Sequence, residues 1–504
     1  MIVEIDKVSE AKLRVLCPDE STAYAMKDYF SFEIPGIKFS KKYKAARGKW
    51  DGRTSVFDMH SGIIGYGLLP YVEEFCREND LEIKYNFDKN YSNISLDQTL
   101  EFLDGLNMHT KGVPLEHRDY QIEAINYACS VNRALILSPT SSGKSSIIYA
   151  IIRHYLKDNK RIILVVPNVS LVLQMFNDFK DYSSENGWDA EKNCSLIYAN
   201  TDRDYDKPIQ IGTWQSFKDF NPKFFHDFDV VIGDEAHTFA AEQVSNVLHN
   251  CINAYARFGT TGTLKHGATT KQKQLHSLQV QSHFGAIYKT ISTREMIDAG
   301  YSVKLDFKSY LLKYPKEDKL TCGKTYDEEL EWITSNRKRN NFIARLVKKL
   351  DGNILVLFHH VDRHGIPLYQ GLKPYLEGKK EVLYVSGVTK VKEREKVKEQ
   401  LQNGRDVVAV CSYGTFSTGI NVPNIRHIVF VGPFKDRIRL FQSIGRGLRL
   451  FTGKHTCTVH DLGDDIRMEK GDEPNTTLKH MAERIRNLEE ENLDVTIYKI
   501  LLDK

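Results

Sequence analysis

The chain has 504 residues, 41% of them hydrophobic, and its 70 Lys and Arg nearly balance 66 Asp and Glu for a net charge of +4. At ~150 residues per domain the length excludes a single core and calls for about three domains. The near-neutral balance excludes a chain that is basic or acidic throughout, so local clustering must carry any argument about charged partners.

Cys17, Cys76, Cys129, Cys194, Cys251, Cys322, Cys411 and Cys457 are scattered without a C-x-x-C pair. That spacing fits reduced thiols better than a disulfide framework or a zinc site. Met1-Ile-Val-Glu-Ile-Asp6 lacks the layout of a signal peptide, and no apolar run approaches the ~20 residues of a membrane span. The expectation is a soluble intracellular protein.

In chain order, the first ~85 residues mix β-type runs with turns at Ile34-Pro-Gly, Trp50-Asp-Gly and Ser61-Gly, and with helical patterns at Ser21–Tyr29 and Pro70–Asn79. They read as a small α+β module. A polar connector follows, with a helix near Leu96–Leu106. From Arg133 onward, short β-rich runs alternate with amphipathic stretches. Strands are expected at Ala134–Leu137, Ile162–Val166, Ile209–Gly212, Val230–Gly233 and Arg257–Thr260, with helices at Ser145–Lys157 and Ser170–Lys180. Such alternation implies a parallel sheet covered by helices. It pauses near Thr290–Tyr310 and resumes with Ile354–Phe358, Val382–Val385, Val407–Cys411, His427–Val431 and Thr456–Val459. The helices of this second lobe are Lys390–Gln402 and Asp436–Leu448. Thr477–Asn492 reads as a terminal helix and Asp494–Leu501 as a final strand or tail.

Three motifs carry chemistry. Strand Ala134–Leu137 runs into Ser138-Pro139-Thr140-Ser141-Ser142-Gly143-Lys144-Ser145 and then a helix. A phosphate chain needs backbone N–H donors at a helix N-terminus, a Lys for the β- and γ-phosphates and a hydroxyl for Mg²⁺. Gly143, Lys144 and Ser145 fit those roles, although Ser138 stands where the general pattern has its first glycine. Val230-Val-Ile-Gly-Asp234-Glu235-Ala236-His237 is a buried strand ending in adjacent carboxylates. Asp234 is placed to hold Mg²⁺, and Glu235 to polarise the attacking water. In the second lobe, Gln442-Ser-Ile-Gly-Arg446-Gly-Leu-Arg449 sets two arginines three apart, on one face if helical, suited to charge on a transferred phosphoryl group.

Together these motifs resemble those of superfamily 2 helicases. His117-Arg118-Asp-Tyr-Gln121 resembles the upstream element whose glutamine reads adenine. Val165-Val-Pro-Asn168, Gly212-Thr213-Trp214-Gln215-Ser216, Thr261-Gly-Thr263, Val385-Ser386-Gly387 and Ser412-Tyr-Gly414 through Thr418-Gly419-Ile-Asn421 resemble further motifs of that superfamily. A narrower resemblance, to the phage recombination-repair helicases of the UvsW family, rests on the Pro139–Ser145 loop, Tyr413-Gly-Thr415-Phe-Ser-Thr-Gly419, Gly323-Lys-Thr-Tyr326 and Gly48-Lys49-Trp50-Asp-Gly-Arg53.

The resemblance implies an α/β chain of two tandem RecA-like lobes preceded by the α+β module. The expected domains are a nucleic-acid-binding module over 1–88, a connector helix over 89–112, an ATP-binding lobe over 113–290 and a second lobe with its terminal helix over 291–504. It implies ATP and Mg²⁺ as cofactors. ATP contacts would fall to Arg118, Gln121, Pro139 to Ser145, Gly419 and Asn421, metal binding to Ser145 and Asp234, and catalysis to Lys144, Asp234, Glu235, Gln442, Arg446 and Arg449. The implied activity is ATP-dependent remodelling of branched DNA: junction migration, fork regression and R-loop unwinding. The expected agent is a cytoplasmic monomer, in the host bacterium if phage-encoded, whose partners include RNA–DNA hybrids. An RNA helicase, a duplex translocase without strand separation and an annealing protein remain alternatives.

Between Lys38 and Arg53 stand seven basic residues (Lys38, Lys41, Lys42, Lys44, Arg47, Lys49, Arg53) and one acidic residue, Asp51. Tyr43 and Trp50 are interleaved as stacking faces or wedges, which suits phosphate and base contacts. Thr213, Ser386, Ser412 and Thr415 join them as expected nucleic-acid contacts. Trp214 is expected to pack in the core, His359 and His360 not to bind metal, and Glu489–Glu491 to be a solvated helix face.

Overall fold

A computed structural model describes residues 1–33, 37, 41–45, 51–89, 91–198, 204–264, 271–323, 325–415, 422–469 and 471–502. The amino-terminal sheet has the order Ile63–Gly65, Lys12–Leu16, Ile2–Ser9, Glu82–Tyr85. The last pair is parallel and the others antiparallel. Alternation turns Val3, Ile5, Leu13 and Val15 to one face, where they bury with Met26 of helix Glu20–Tyr29 and Val72 and Phe75 of helix Leu69–Glu78.

The next sheet has seven parallel strands in the order Cys194–Ile197, Ile209–Thr213, Ile162–Val166, Val230–Asp234, Ala256–Thr261, Arg133–Leu137, Ile287–Lys289. Strand Ile162–Val166 sends Ile162, Leu164 and Val166 into one core and Ile163 and Val165 into another. A strand covered on both faces reads as a continuous apolar run, which is why its sequence shows no alternation. Helices Asp119–Val131, Lys144–Leu156 and Val169–Tyr182 line the first core, and Phe217, Phe225, Phe239 and Phe284 fill the second. Trp214 packs, partly buried, against that second core.

A third sheet, also of seven parallel strands, runs Glu381–Val385, Val407–Ser412, Ile354–Phe358, His427–Phe430, Thr456–Asp465, Lys304–Lys313, Val495–Leu501. The architecture is thus two tandem RecA-like parallel sheets after an α+β module. The pause expected near Thr290–Tyr310 is a correction: Lys304–Lys313 is a strand lying between Thr456–Asp465 and Val495–Leu501. The acidic run is exposed at Glu489 and Glu490, as expected, but its last two residues are also ion-paired. Glu490 and Glu491 are held by Arg437 at 2.5 and 2.6 Å, because the terminal helix Thr476–Glu489 brings them beside the start of helix Arg437–Gly447.

The chain divides into two compact units, residues 1–138 with 143–290, and residues 139–142 with 291–504. The amino-terminal module shares a unit with the first lobe. Tyr71 donates to Gln281 Oε1 at 2.7 Å, Glu10 N to the Ile252 carbonyl at 2.9 Å, and Arg133 pairs with Glu10 at 2.8 Å. A Cβ on Gly67 would lie 2.0 Å from the Gln281 carbonyl oxygen, and one on Gly65 would lie 2.6 Å from Ser282 Cβ. Only glycine lets the two backbones approach so closely. Among the described residues no helix is long and apolar enough to cross a membrane.

Candidate nucleotide site and nucleic-acid segments

Strand Arg133–Leu137 ends where Ser138 N donates to the Thr261 carbonyl at 3.0 Å. Ser141 (φ +71°) and Gly143 (φ +84°) then turn the chain into helix Lys144–Leu156. A helix N-terminus aims backbone N–H groups and the positive end of the helix dipole at its mouth, the feature that suits it to phosphate. Within the loop, Ser142 Oγ donates to the Pro139 carbonyl at 2.7 Å. Lys144 Nζ donates to the Ser138 carbonyl at 3.1 Å. Ser138 itself is fully buried, and its hydroxyl accepts from Thr290 at 2.9 Å.

Gln121, far upstream in sequence, lies against this loop: a Cβ on Gly143 would stand 2.3 Å from Gln121 Nε2. The Gln121 amide is fixed from behind, its Oε1 accepting from Arg118 N at 2.9 Å, while Arg118 Nη1 donates to the Tyr120 hydroxyl at 3.0 Å. The Ser145 hydroxyl shares a 2.7 Å hydrogen bond with that of Tyr182, a buried residue that the motifs gave no reason to single out.

Asp234 closes strand Val230–Asp234 and is 6% exposed. Thr260, on the neighbouring strand, donates to its Oδ1 at 2.6 Å. Burial first, and Glu235 second, push the Asp234 pKa up, while Thr260 and Lys144 pull it down. Glu235 adopts a left-handed backbone (φ +50°), uncommon for a residue with a side chain. Its Oε2 lies 3.3 Å from His237 Nδ1, which is 3.0 Å from Thr261 Oγ1, so His237 joins the Asp234-Glu235 element to Thr261-Gly-Thr263.

These residues fit a small divalent cation. Asp234 and Glu235 crowd negative charge in a buried place, and the raised proton affinity of Asp234 is the electrostatic demand that a cation meets. Among the described residues no three His, Cys, Asp or Glu gather into a metal cluster. A site with one or two protein oxygens suits Mg²⁺, which takes its remaining ligands from phosphates and water.

In the second unit, Asp436 caps helix Arg437–Gly447 by accepting from Arg439 N at 2.7 Å. Gln442 and Arg446 lie on this helix, both partly buried. Arg449 does not share it, which corrects the expected common face: the helix ends at Gly447 with Leu448 as its C-cap. Gly447 is pressed against its neighbours there, since a Cβ would meet Cys457 Sγ at 2.6 Å and Ile428 Cδ1 at 2.7 Å. The buried Lys454 donates to the carbonyls of Gly447, Pro423 and Arg449 at 2.5, 2.9 and 3.1 Å. Gly419 and Asn421 lie outside the described residues.

Of the basic run, Lys38, Arg47, Lys49 and Trp50 lie outside the described residues. Lys41 and Lys42 belong to helix Lys41–Ala45, and Lys44 is exposed. Arg53 is engaged within the module, pairing with the Asp28 carboxylate and donating to the Ser31 carbonyl at 3.0 Å. Thr213, Ser386, Ser412 and Thr415 are all buried. Thr213 caps a short helix, its Oγ1 accepting from Ser216 N at 3.2 Å, and the Ser412 and Thr415 hydroxyls bond each other at 2.8 Å. His359 and His360 are exposed.

Sequence models of known families match three stretches. "DNA helicase UvsW, N-terminal" matches residues 3–86, "Type III restriction enzyme, res subunit" matches 114–266, and "Helicase conserved C-terminal domain" matches 338–451. The ATP-dependent DNA helicase uvsW of Enterobacteria phage T4 is 32% identical over 516 aligned residues, covering 97% of this chain and 98% of that one. The DNA 3'-5' translocase XPB2 of Sulfurisphaera tokodaii is 23% identical over 423 residues, covering 76% of this chain and 90% of that one. The crystal structure of T4 UvsW matches with a TM-score of 0.51 and 29% identity over the whole of both chains. The chain therefore belongs to the UvsW family of superfamily 2, and it is an ATP-driven DNA helicase.

Proposed function

We propose that this helicase remodels branched DNA (four-way junctions, stalled forks and R-loops), acting as a monomer. The supporting observation is the UvsW-type amino-terminal module, packed into one unit with the ATP-binding lobe and carrying the basic run 38–53. In this reading Gln121, with Arg118, reads adenine. The Pro139–Ser145 loop cradles the phosphates, and Lys144 meets the β- and γ-oxygens. Mg²⁺, held by Asp234 and the Ser145 hydroxyl, would neutralise charge on the same phosphates. Glu235 orients the attacking water and takes its proton. Arg446 and Arg449, with Gln442, stabilise the charge that develops on the transferred group. Gly419 and Asn421 complete the nucleotide contacts.

DNA is gripped by Lys41, Lys42, Lys44, Arg47 and Lys49, with Trp50 as a wedge and Arg53 holding the module's own turn. The segments at Thr213, Ser386, Ser412 and Thr415 contact the strand through backbone groups, because their side chains face inward.

A panel of ATPase and unwinding assays over fork, four-way junction, R-loop, linear duplex and RNA tests this reading, with Lys144→Ala as the inactive control. Branched DNA should stimulate best. Equal stimulation by linear duplex, or preference for RNA alone, would overturn it.

A further inference from the structure

Lys454 is 4% exposed, and its ammonium sits where three backbone carbonyls converge. All three of its N–H groups find an acceptor, at Gly447, Pro423 and Arg449. Two of these carbonyls flank the end of the Gln442–Arg449 motif, and the third follows the Ser412–Asn421 motif. Burying a charge is costly unless it is well bonded. One of the three, the Gly447 carbonyl, is the last of helix Arg437–Gly447 and carries partial negative charge. Arg449 lies beyond Leu448, the C-cap of helix Arg437–Gly447, so the helical ladder does not fix its carbonyl.

We propose that Lys454 is a positioning residue: it clamps the end of the helix carrying Arg446, and the turn carrying Arg449, to the segment ending at Pro423 and so holds the two guanidinium groups in register for catalysis. The proposal rests on the role given above to those arginines. The titratable and charged groups facing Lys454 are the Cys457 thiol, Arg426 and Arg449. Burial raises the thiol to about 11, so it stays neutral, and Arg426 is occupied in part by the Gly453 carbonyl at 2.9 Å. Burial lowers the Lys454 ammonium to about 8. A neutral amine retains two N–H groups for three acceptors, so the clamp loosens as pH rises through that value.

The test compares wild type, Lys454→Met, Lys454→Arg and Arg449→Ala as full chains, measuring DNA-stimulated ATP hydrolysis against pH. Lys454→Met should lower kcat by ~10- to 100-fold while the KM for ATP moves by less than about twofold. Wild type should decline above about pH 8, and Lys454→Arg should restore most of kcat and remove that decline. If Lys454→Met keeps wild-type kcat while Arg449→Ala loses ~100-fold or more, the clamp is refuted and the arginine role stands. If Arg449→Ala itself turns over at the wild-type rate, the reading beneath the proposal fails instead. Should thermal melting show Lys454→Met to be unfolded, the pH profiles decide: the same alkaline decline in wild type and Lys454→Arg overturns the clamp.

Discussion

Gly143→Ala isolates the contact between the phosphate loop and Gln121. Gly143 has φ +84°, and the added Cβ would stand 2.3 Å from Gln121 Nε2. The left-handed backbone alone costs a residue with a Cβ ~1–2 kcal/mol. Gln121 is 5% exposed and its Oε1 is held by Arg118 N at 2.9 Å, so moving it aside gives up that bond. Such a bond is worth ~1 kcal/mol, and the total is ~2–3 kcal/mol. The loop escapes this strain by turning its amides out of the cradle, so kcat/KM for ATP should fall ~30- to 150-fold. Gln121→Ala removes the steric part but leaves the backbone part. In that background Gly143→Ala should cost only ~1–2 kcal/mol, a coupling of ~1 kcal/mol in a double-mutant cycle. The assay is steady-state ATP hydrolysis at saturating DNA, with thermal melts confirming folding of all four proteins. Additivity within ~0.3 kcal/mol would refute the packing of Gln121 on the loop.

Glu235→Gln should leave nucleotide affinity near wild type while hydrolysis falls ~100-fold or more; an equal loss of affinity would make Glu235 structural. Tyr182→Phe deletes the 2.7 Å bond to Ser145 and should lower the melting transition of the first lobe by ~2–4 °C, measured by calorimetry. An unchanged transition would mean that the bond does not form in solution. Converting Lys41, Lys42, Lys44 and Lys49 to Ala should flatten the salt dependence of duplex binding by up to ~3–4 units while sparing basal ATP hydrolysis. A wild-type salt slope would reduce the patch to a solvated loop.

Much of the fold was legible because its central strands are buried on both faces. Ile162–Val166 and Ile354–Phe358 are unbroken apolar runs, and Val230–Asp234 and Val407–Ser412 are apolar up to their last residue, so they admit few other readings. The strands that escaped lie toward the sheet edges or beside an edge strand. Cys194–Ile197 and Ile287–Lys289 are short, and Lys304–Lys313 mixes charged with apolar residues, so neither length nor continuity announced them. In the candidate site the motifs named the residues but not their supports. Thr260 beside Asp234, Tyr182 behind Ser145 and Lys454 against the Pro423 carbonyl are far from their partners in sequence, and only the folded chain pairs them. Arg446 and Arg449 are not helix neighbours, because the helix ends at Gly447 and a three-residue spacing does not show where a helix stops.

The glycines at the seam between the amino-terminal module and the first lobe bear on how force travels through the machine. At Gly65 and Gly67 the module's backbone lies directly on the helix Lys271–Phe284, with no layer of side chains to yield between them. Such a joint behaves as a weld rather than a bearing. A displacement of the ATP-binding lobe is delivered to the module undiminished, and the load that DNA places on the module returns to the lobe by the same route. Replacing Gly67 with a larger residue would therefore add mechanical slack, and its signature would be ATP turnover that continues while strand separation per ATP declines.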